Sequence, residues 1–400
     1  MNLSVGYTFD EKLIGQLAEI PQVHEIYGKL DRDIIGGGRS TYTLRPTTRR
    51  RLKASIKKAH AHGMEFNYLL NAATLNGLEQ SRRGRKRIRG LLDYVVACDV
   101  DSVTVAAPFL IKLVKKHYPQ LKVRVGVFAV VDGPVKARGW EEMGADTICV
   151  SSIAANRNFE VLESIRSAVD CTLQLIVNAA CQQGCTHELT HMNLLSNSSR
   201  RRDPLRGFAF DYCFLHCSAR RLLHPVHFMR SCWIRPEDLH YYEKLGYTSF
   251  KIIERSSPAD LVLKRVRAYA DRSFDGNLWE LVAPVAQINR TQHASFGQRL
   301  RVIRYLFRPD MMKTATMLDL KRYADMLMIR DFSKKHAPVY IDNKALGGFI
   351  EGLMKRKCSL AACDTCDYCS SWADKVVHID TDYKIRALRL ARKLEGEFIG

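Results

Sequence analysis

The 400-residue chain has no apolar run near the roughly 20 residues needed to cross a bilayer. Val123–Val131 and Ile148–Ala155 are among its longest apolar stretches, and Arg124 interrupts the first, so no membrane span is expected. The opening Met1-Asn2-Leu3-Ser4 lacks the charged-then-apolar layout of a signal peptide and acid follows by Asp10, so the expected location is cytoplasmic. No G-x-G-x-x-G follows a strand-like segment, Gly36-Gly37-Gly38 having the wrong spacing, which argues against an open dinucleotide-binding sheet. Acidic residues are in short supply: 42 Asp and Glu stand against 62 Lys and Arg, a formal charge of +20. With 46% apolar positions the chain can bury a large core, which excludes a disordered protein or a disulfide mini-scaffold.

What the chain does have is a repeated alternation of short β-branched runs with amphipathic helical stretches, the pattern of β/α units around a parallel sheet. Strands are expected at Leu3–Tyr7, Glu25–Gly28, Glu65–Leu70, Ser102–Ala106, Lys122–Ala129, Thr147–Ser151, Thr172–Asn178 and Thr248–Ile253. Helices are expected at Pro108–His117, Gly133–Met143, Asn158–Ala168, Pro236–Leu245 and Ala259–Tyr269, two of them followed by glycines, Gly144 and Gly246, suited to the left-handed position after a helix. Eight such units in about 270 residues predict a TIM-type (β/α)8 barrel over residues 1–272. Beyond Asp275 the alternation stops. Helical spacing of Phe296, Leu300, Ile303 and Leu306 and of Leu318, Leu320, Tyr323, Met326 and Leu327 predicts helix over 296–336, with further helices at Lys344–Lys357 and near Tyr383–Leu394. Residues 273–400 are therefore read as a mainly helical C-terminal accessory region.

The twelve cysteines are unevenly placed. Cys98, Cys149 and Cys171 are scattered singly, whereas Cys181, Cys185, Cys213, Cys217 and Cys232 form one group and Cys358, Cys363, Cys366 and Cys369 another. Clustered cysteines in a long cytoplasmic chain point to metal ligation rather than disulfides. Cys181 and Cys185 follow the Thr172–Asn178 strand, and the C-terminal ends of barrel strands are where chemistry gathers. Thiolates suit zinc or an iron–sulfur cluster; the C-x3-C spacings here lack the C-x2-C knuckle of zinc sites and fit the larger cluster better. Five sulfurs are one more than a single site needs.

Several short motifs occur in one order: Glu25-Ile-Tyr-Gly-Lys-Leu30 with Gly38-Arg39, Phe66-Asn-Tyr-Leu-Leu-Asn71, Cys181 and Cys185, Trp233-Ile-Arg-Pro-Glu-Asp-Leu239, and Phe250-Lys-Ile-Ile-Glu-Arg255. Over residues 1–272 this series resembles the collagenase-like peptidase family U32. The resemblance implies a TIM-type barrel and, in the better understood branches, oxygen-independent hydroxylation of ubiquinone precursors or of transfer and ribosomal RNA bases. It also implies a [4Fe–4S] cluster on four cysteines and prephenate as oxygen donor. Carried over, Cys181, Cys185 and Cys217 are the first three ligands and Cys213 the fourth, ahead of Cys232. Ligand spacing departs from that of other branches, and no appended collagenase-like region is recognisable.

Cys358-x4-Cys363-x2-Cys366-x2-Cys369 joins two ferredoxin-type spacings within twelve residues and predicts a second [4Fe–4S] cluster, with zinc as the alternative. Basic runs at Arg49-Arg50-Arg51, Arg82-Arg83-Gly84-Arg85-Lys86-Arg87 and Arg200-Arg201-Arg202 make RNA a candidate partner, against a merely solvated basic surface. Arg39 and Arg255 are candidate clamps for a small carboxylate of the prephenate kind, the alternative being that Glu254 and Arg255 simply pair with neighbouring barrel residues; Lys251 also lies near a strand end. His187-Glu188-Leu189-Thr190-His191 meets the H-E-x-x-H pattern, so a zinc peptidase with Glu188 as base is the competing enzyme reading, and a non-catalytic RNA-binding iron–sulfur protein the third. An electron-donor protein and a homologous partner subunit are further expectations.

Overall fold

The computed structural model describes residues 1–201, 203–204, 207–209, 211–284, 313–327, 337–356, 358, 363 and 365–399. Eight parallel strands close into a barrel: β1 Asn2–Gly6, β2 Val23–Gly28, β3 Glu65–Leu70, β4 Ser102–Val105, β5 Lys122–Val125, β6 Thr147–Cys149, β7 Thr172–Ile176 and β8 Ser249–Ile252. Closure comes from β1, which pairs with β2 on one side and β8 on the other. The fold is thus a TIM-type barrel with a helical C-terminal region. Alternate strand residues such as Val103, Val105, Val123, Val125, Phe250 and Ile252 pack outward into one apolar layer with helix residues Leu110, Ile111, Val114, Val262 and Val266.

Local sequence sets the helix starts. Thr48 and Ser81 accept hydrogen bonds from Arg51 and Gly84 N–H and so cap Arg49–Ala61 and Arg82–Ala97, while Asn158 does the same for Phe159–Ala168. Gly144 and Gly246 have φ of +103° and +87°, the left-handed conformation that follows a helix. Strand β5 stops at Val125 rather than Ala129: Gly126 comes so close to β4 that a Cβ there would lie 2.8 Å from Thr104 Cγ2, and Val127–Ala129 form a 3-10 turn. Beyond the barrel wall no neighbouring strand pairs with them, so β-branched composition alone does not extend the strand.

Between β7 and β8 the chain inserts the helices Glu188–Ser198 and Tyr212–Leu223 and the single turn Val226–Met229 before Leu239–Lys244. The C-terminal region builds on this insertion. Leu215, Leu222, Phe228 and Trp233 share one core with Phe349, Val376, Tyr383 and Leu394. Within the expected helix 296–336, Thr314–Leu327 is helical, while Phe296, Leu300, Ile303 and Leu306 lie outside the described residues, as does Arg202. The expected helix from Lys344 is broken by Gly347 and by Gly348 at φ +87°, leaving the 3-10 turn Lys344–Leu346 and the helix Phe349–Met354; Lys357 also lies outside the described residues. A two-stranded antiparallel sheet, Val339–Ile341 with Val377–Ile379, is an addition to the helical expectation. The terminal helix runs Thr381–Ile399. Among the described residues no helix is long and apolar enough to cross a membrane.

Candidate active site at the barrel mouth

The barrel interior is polar. Glu25 on β2 accepts hydrogen bonds from Ser4 Oγ on β1 at 2.5 Å and Ser102 Oγ on β4 at 3.3 Å, and pairs with Arg124 Nε on β5 at 2.7 Å. Side chains on strands that are not neighbours meet only through the lumen, so these residues point inward. Asn67 continues the network, donating to Ser102 Oγ at 2.8 Å and accepting from Thr104 Oγ1 at 2.7 Å. Nearer the mouth, Lys251 on β8 is buried with its ammonium 4.1 Å from the centre of the Tyr27 ring. No hydrogen bond or ion pair to that ammonium is found among the described residues. Burial lowers its pKa, against the opposing pull of the Cys149 and Glu25 charges.

Further polar groups line the mouth. Glu254, at φ +99°, binds the Arg39 guanidinium through Nε and Nη2, both at 2.8 Å. Burial alone would raise the Glu254 pKa, but the charge and hydrogen bonds of Arg39, with Ser256 behind it, outweigh that and hold it low. Arg39 is therefore committed to its own chain rather than standing free as a carboxylate clamp. Arg255 differs: it is 7% exposed, burial pulls its pKa down to about 10 against the weaker opposing charge of Glu254, and its guanidinium makes no hydrogen bond or ion pair among the described residues. It remains cationic at neutral pH and sits beside Tyr27 and Gly6, where a Cβ would approach its Cγ to 3.1 Å. Lys29 pairs with Asp33 at 2.9 Å, and Asp33 also accepts from Tyr68. Asn71 Oδ1 is buried without a hydrogen-bond partner.

The first cysteine group assembles at this face from three segments. Cys181 and Cys185 follow β7; Cys213 and Cys217 lie one turn apart on the helix Tyr212–Leu223; Cys232 is wholly buried, and its N–H bonds to the Cys181 carbonyl at 2.9 Å. The thiols share one electrostatic neighbourhood. Desolvation by the surrounding chain raises the Cys181 pKa, and Cys232, Cys217 and Cys185 raise it further while Arg221 opposes. Burial lifts Cys213 to about 11, helped by Asp211, Cys185 and Cys217, and burial lifts Cys232 to about 11. Arg221 donates to Cys217 Sγ at 3.7 Å. Cys149, which its isolation in sequence marked as a bystander, closes β6 and shares a small buried cluster with Cys232, against which Cys185 packs. Its inward register on the strand was the available signal.

The second group, Cys358, Cys363, Cys366 and Cys369, is half-buried. Cys369 and Cys358 are raised chiefly by burial, with Arg157 and Arg230 opposing. Arg230 also donates to the Cys363 carbonyl at 2.8 Å, and Arg157 stacks over the Trp233 ring at 4.2 Å. Among the described residues no three His, Cys, Asp or Glu side chains are drawn together at the spacing of a single metal ion. The H-E-x-x-H segment is divided. His191 Nε2 bonds to Asp211 at 2.8 Å and His187 lies 4.9 Å from the His216 ring, whereas Glu188 is influenced by Ser151, Asp132 and Lys136 on the barrel side.

The sequence profile of peptidase family U32 matches residues 33–276. An uncharacterized protease of Methanocaldococcus jannaschii is 28% identical over 347 residues, which cover 87% of this chain and 87% of that protein. The tRNA hydroxylation protein P of Escherichia coli is 27% identical over 186 residues, covering 45% of this chain and 38% of that protein. Among solved structures, a U32 peptidase is similar over 64% of this chain and 95% of its own, with 23% identity and a TM-score of 0.48.

Proposed function

Since the chain belongs to peptidase family U32, we propose that it is a hydroxylase-type enzyme that modifies an RNA base by iron–sulfur redox chemistry without molecular oxygen. The observation that carries this reading is that Cys181 lies within electrostatic reach of Cys185, Cys217 and Cys232, drawn from three separate segments at the barrel mouth, with Arg255 there buried and without a hydrogen bond or ion pair among the described residues. The likeness to a tRNA hydroxylation protein supplies the substrate class.

The donor set fits a [4Fe–4S] cluster, which when bound supplies one-electron chemistry and keeps its thiolate ligands deprotonated. Cys181, Cys185 and Cys217 are three ligands; Cys232, hydrogen-bonded to Cys181 through the backbone, is favoured over Cys213 as the fourth. Arg221 offsets thiolate charge at Cys217 and Cys181. Arg255 holds the carboxylate of a small oxygen donor of the prephenate kind, and Lys251 below it adds a second positive group. Glu254 fixes Arg39, keeping that guanidinium from competing. The C-terminal cysteines hold a second cluster, with zinc as the alternative, and a separate donor protein delivers electrons.

Iron and acid-labile sulfide analysis with electron paramagnetic resonance on anaerobically purified protein tests the reading. Brown protein with cluster signals, together with an RNA base that loses its added oxygen in cells lacking the chain, is expected. A colourless protein carrying only zinc overturns it.

A further inference from the structure

The two outer helices that follow β2 and β3 carry most of the unbalanced charge. Arg49–Ala61 contains Arg49, Arg50, Arg51, Lys53, Lys57 and Lys58 and no acid. Arg82–Ala97 begins with Arg82, Arg83, Arg85, Lys86, Arg87 and Arg89, and its sole acid, Asp93, accepts a hydrogen bond from Tyr118 at 2.6 Å. Arg49 joins the two helices: its guanidinium lies 4.4 Å over the Tyr94 ring and its carbonyl accepts from Tyr94 Oη. Each helix starts on the side where its strand ends, so the bases of the opening turns, Arg49 to Lys53 and Arg82 to Arg87, lie toward the barrel mouth. On the second helix Arg82, Lys86 and Arg89 form one stripe and Arg83 and Arg87 the next.

Arg82, Arg83, Lys86, Arg87 and Arg89 have no acidic partner among the described residues. Glu79, the acid nearest in sequence, forms no ion pair with them: its Oε1 accepts from Gln80 at 3.5 Å and its Oε2 is buried without a hydrogen-bond partner. Like charges one turn apart repel, and bases at a helix start oppose the helix dipole, so this arrangement costs stability in the free protein. Local folding does not explain it. A lipid surface is a poor match, because none of the large apolar side chains exposed on this protein lies on either helix, and surface-bound amphipathic helices need such anchors. Guanidinium predominates, which suits bidentate binding of phosphate oxygens.

We propose that the first turns of these two helices form the docking rim for the phosphate backbone of the RNA whose base enters the mouth. This rests on the RNA reading above. The rim fixes position and orientation without reading sequence, while the mouth selects the base.

The test measures binding of full-length protein to total transfer RNA by fluorescence anisotropy from 50 to 200 mM KCl. Neutralising four bases in Arg82→Gln/Arg83→Gln/Lys86→Gln/Arg87→Gln is expected to flatten the log–log salt slope by about 3, at roughly 0.7–0.9 for each phosphate left without its cation. An equal change on the terminal helix, Lys384→Gln/Arg386→Gln/Arg389→Gln/Arg392→Gln, is expected to leave the slope near wild type. Melting temperatures no lower than that of wild type establish that both variants fold. If wild type binds RNA but the first variant keeps its slope, or both variants lose it equally, the rim is wrong while the RNA reading stands. Wild type that fails to bind RNA at 50 mM overturns both. Binding to phosphatidylserine vesicles that is lost in the first variant, with RNA binding intact, reassigns the surface to membrane.

Discussion

Replacing Glu254 with Gln tests how the mouth is held. The carboxylate accepts both Arg39 bonds at 2.8 Å and one from Ser256 Oγ at 2.5 Å. Charge-assisted bonds of this kind are worth about 1.5–3 kcal/mol each. Gln keeps one acceptor oxygen but turns an N–H2 toward Arg39, so one such bond and the charge attraction are lost. Breaking a fully buried pair costs about 3–5 kcal/mol. Because the Arg39 side chain is 27% exposed, water recovers part of that, and a loss of about 2 kcal/mol remains. For a chain of this size the corresponding drop in melting temperature is about 2–3 °C. The pH dependence follows from the lowered Glu254 pKa. Stability contributed by a depressed carboxylate is fully present above its unfolded value and is lost as pH falls through the folded one. Scanning calorimetry should therefore show a constant gap between wild type and variant from pH 8 to 5 that narrows only below about 4.5. A gap under about 1 °C at neutral pH, or one that stays wide at the lowest pH where both fold, refutes the pairing and returns Arg39 to the pool of free carboxylate clamps.

Three other outcomes follow from the geometry. Cys363→Ala should lower iron from about eight to about four atoms per chain, since the two cysteine groups draw on different segments; complete loss of iron would contradict separate sites. Asp238 is raised to about 7 by burial, against the pull of Arg235, so its ionised form is a growing burden as pH rises from about 4 to about 7. Asp238→Asn should accordingly raise the melting temperature by an increment that grows over that range and is level above it, and an increment largest at acid pH would rule the account out. Trp233, 2% exposed and packed between Arg157 and the C-terminal Phe349, ties the barrel to the accessory region. Trp233→Ala should cost about 3–5 kcal/mol and speed tryptic cleavage after residue 337; an unchanged digestion pattern would show that the tie lies elsewhere.

The barrel was readable because each wall strand announces itself locally. Glu65–Leu70 and Pro108–His117 form with the very limits that apolar alternation and helical spacing predict, since buried strands and amphipathic helices impose their own periods. The mouth was readable only in part. Cys181 and Cys185 stood out through their spacing after a strand, but the Arg39–Glu254 pair joins positions 215 residues apart, and barrel closure creates it. Cys149 was hidden for the same reason: its neighbours Cys232 and Cys185 come from the insertion after β7. Glu188 and His191 illustrate the reverse failure. A local pattern suggested one site, while Asp211 bonds His191 and Glu188, its Oε1 buried without a hydrogen-bond partner, lies among Ser151, Asp132 and Lys136 on the barrel side.

The lumen of this barrel carries a gradient of charge that the usual filling of branched apolar side chains would not produce. Deep inside, Glu25, Arg124, Ser4, Ser102 and Asn67 satisfy one another, so that layer is electrically closed. Toward the mouth the pairing becomes incomplete: Lys251 has only the Tyr27 face, and Arg255 has none of the carboxylates that Arg39 and Lys29 have secured. Buried ion pairs add little net stability, but an unpaired buried cation is a definite cost, tolerated where an anion comes to it. With Glu254 held by Arg39 and Asp33 by Lys29, Arg255 is the mouth cation to which the proposed function assigns a carboxylate. The same sign of charge continues outside on the basic rim, so one field can draw in both a small acid and a phosphate chain.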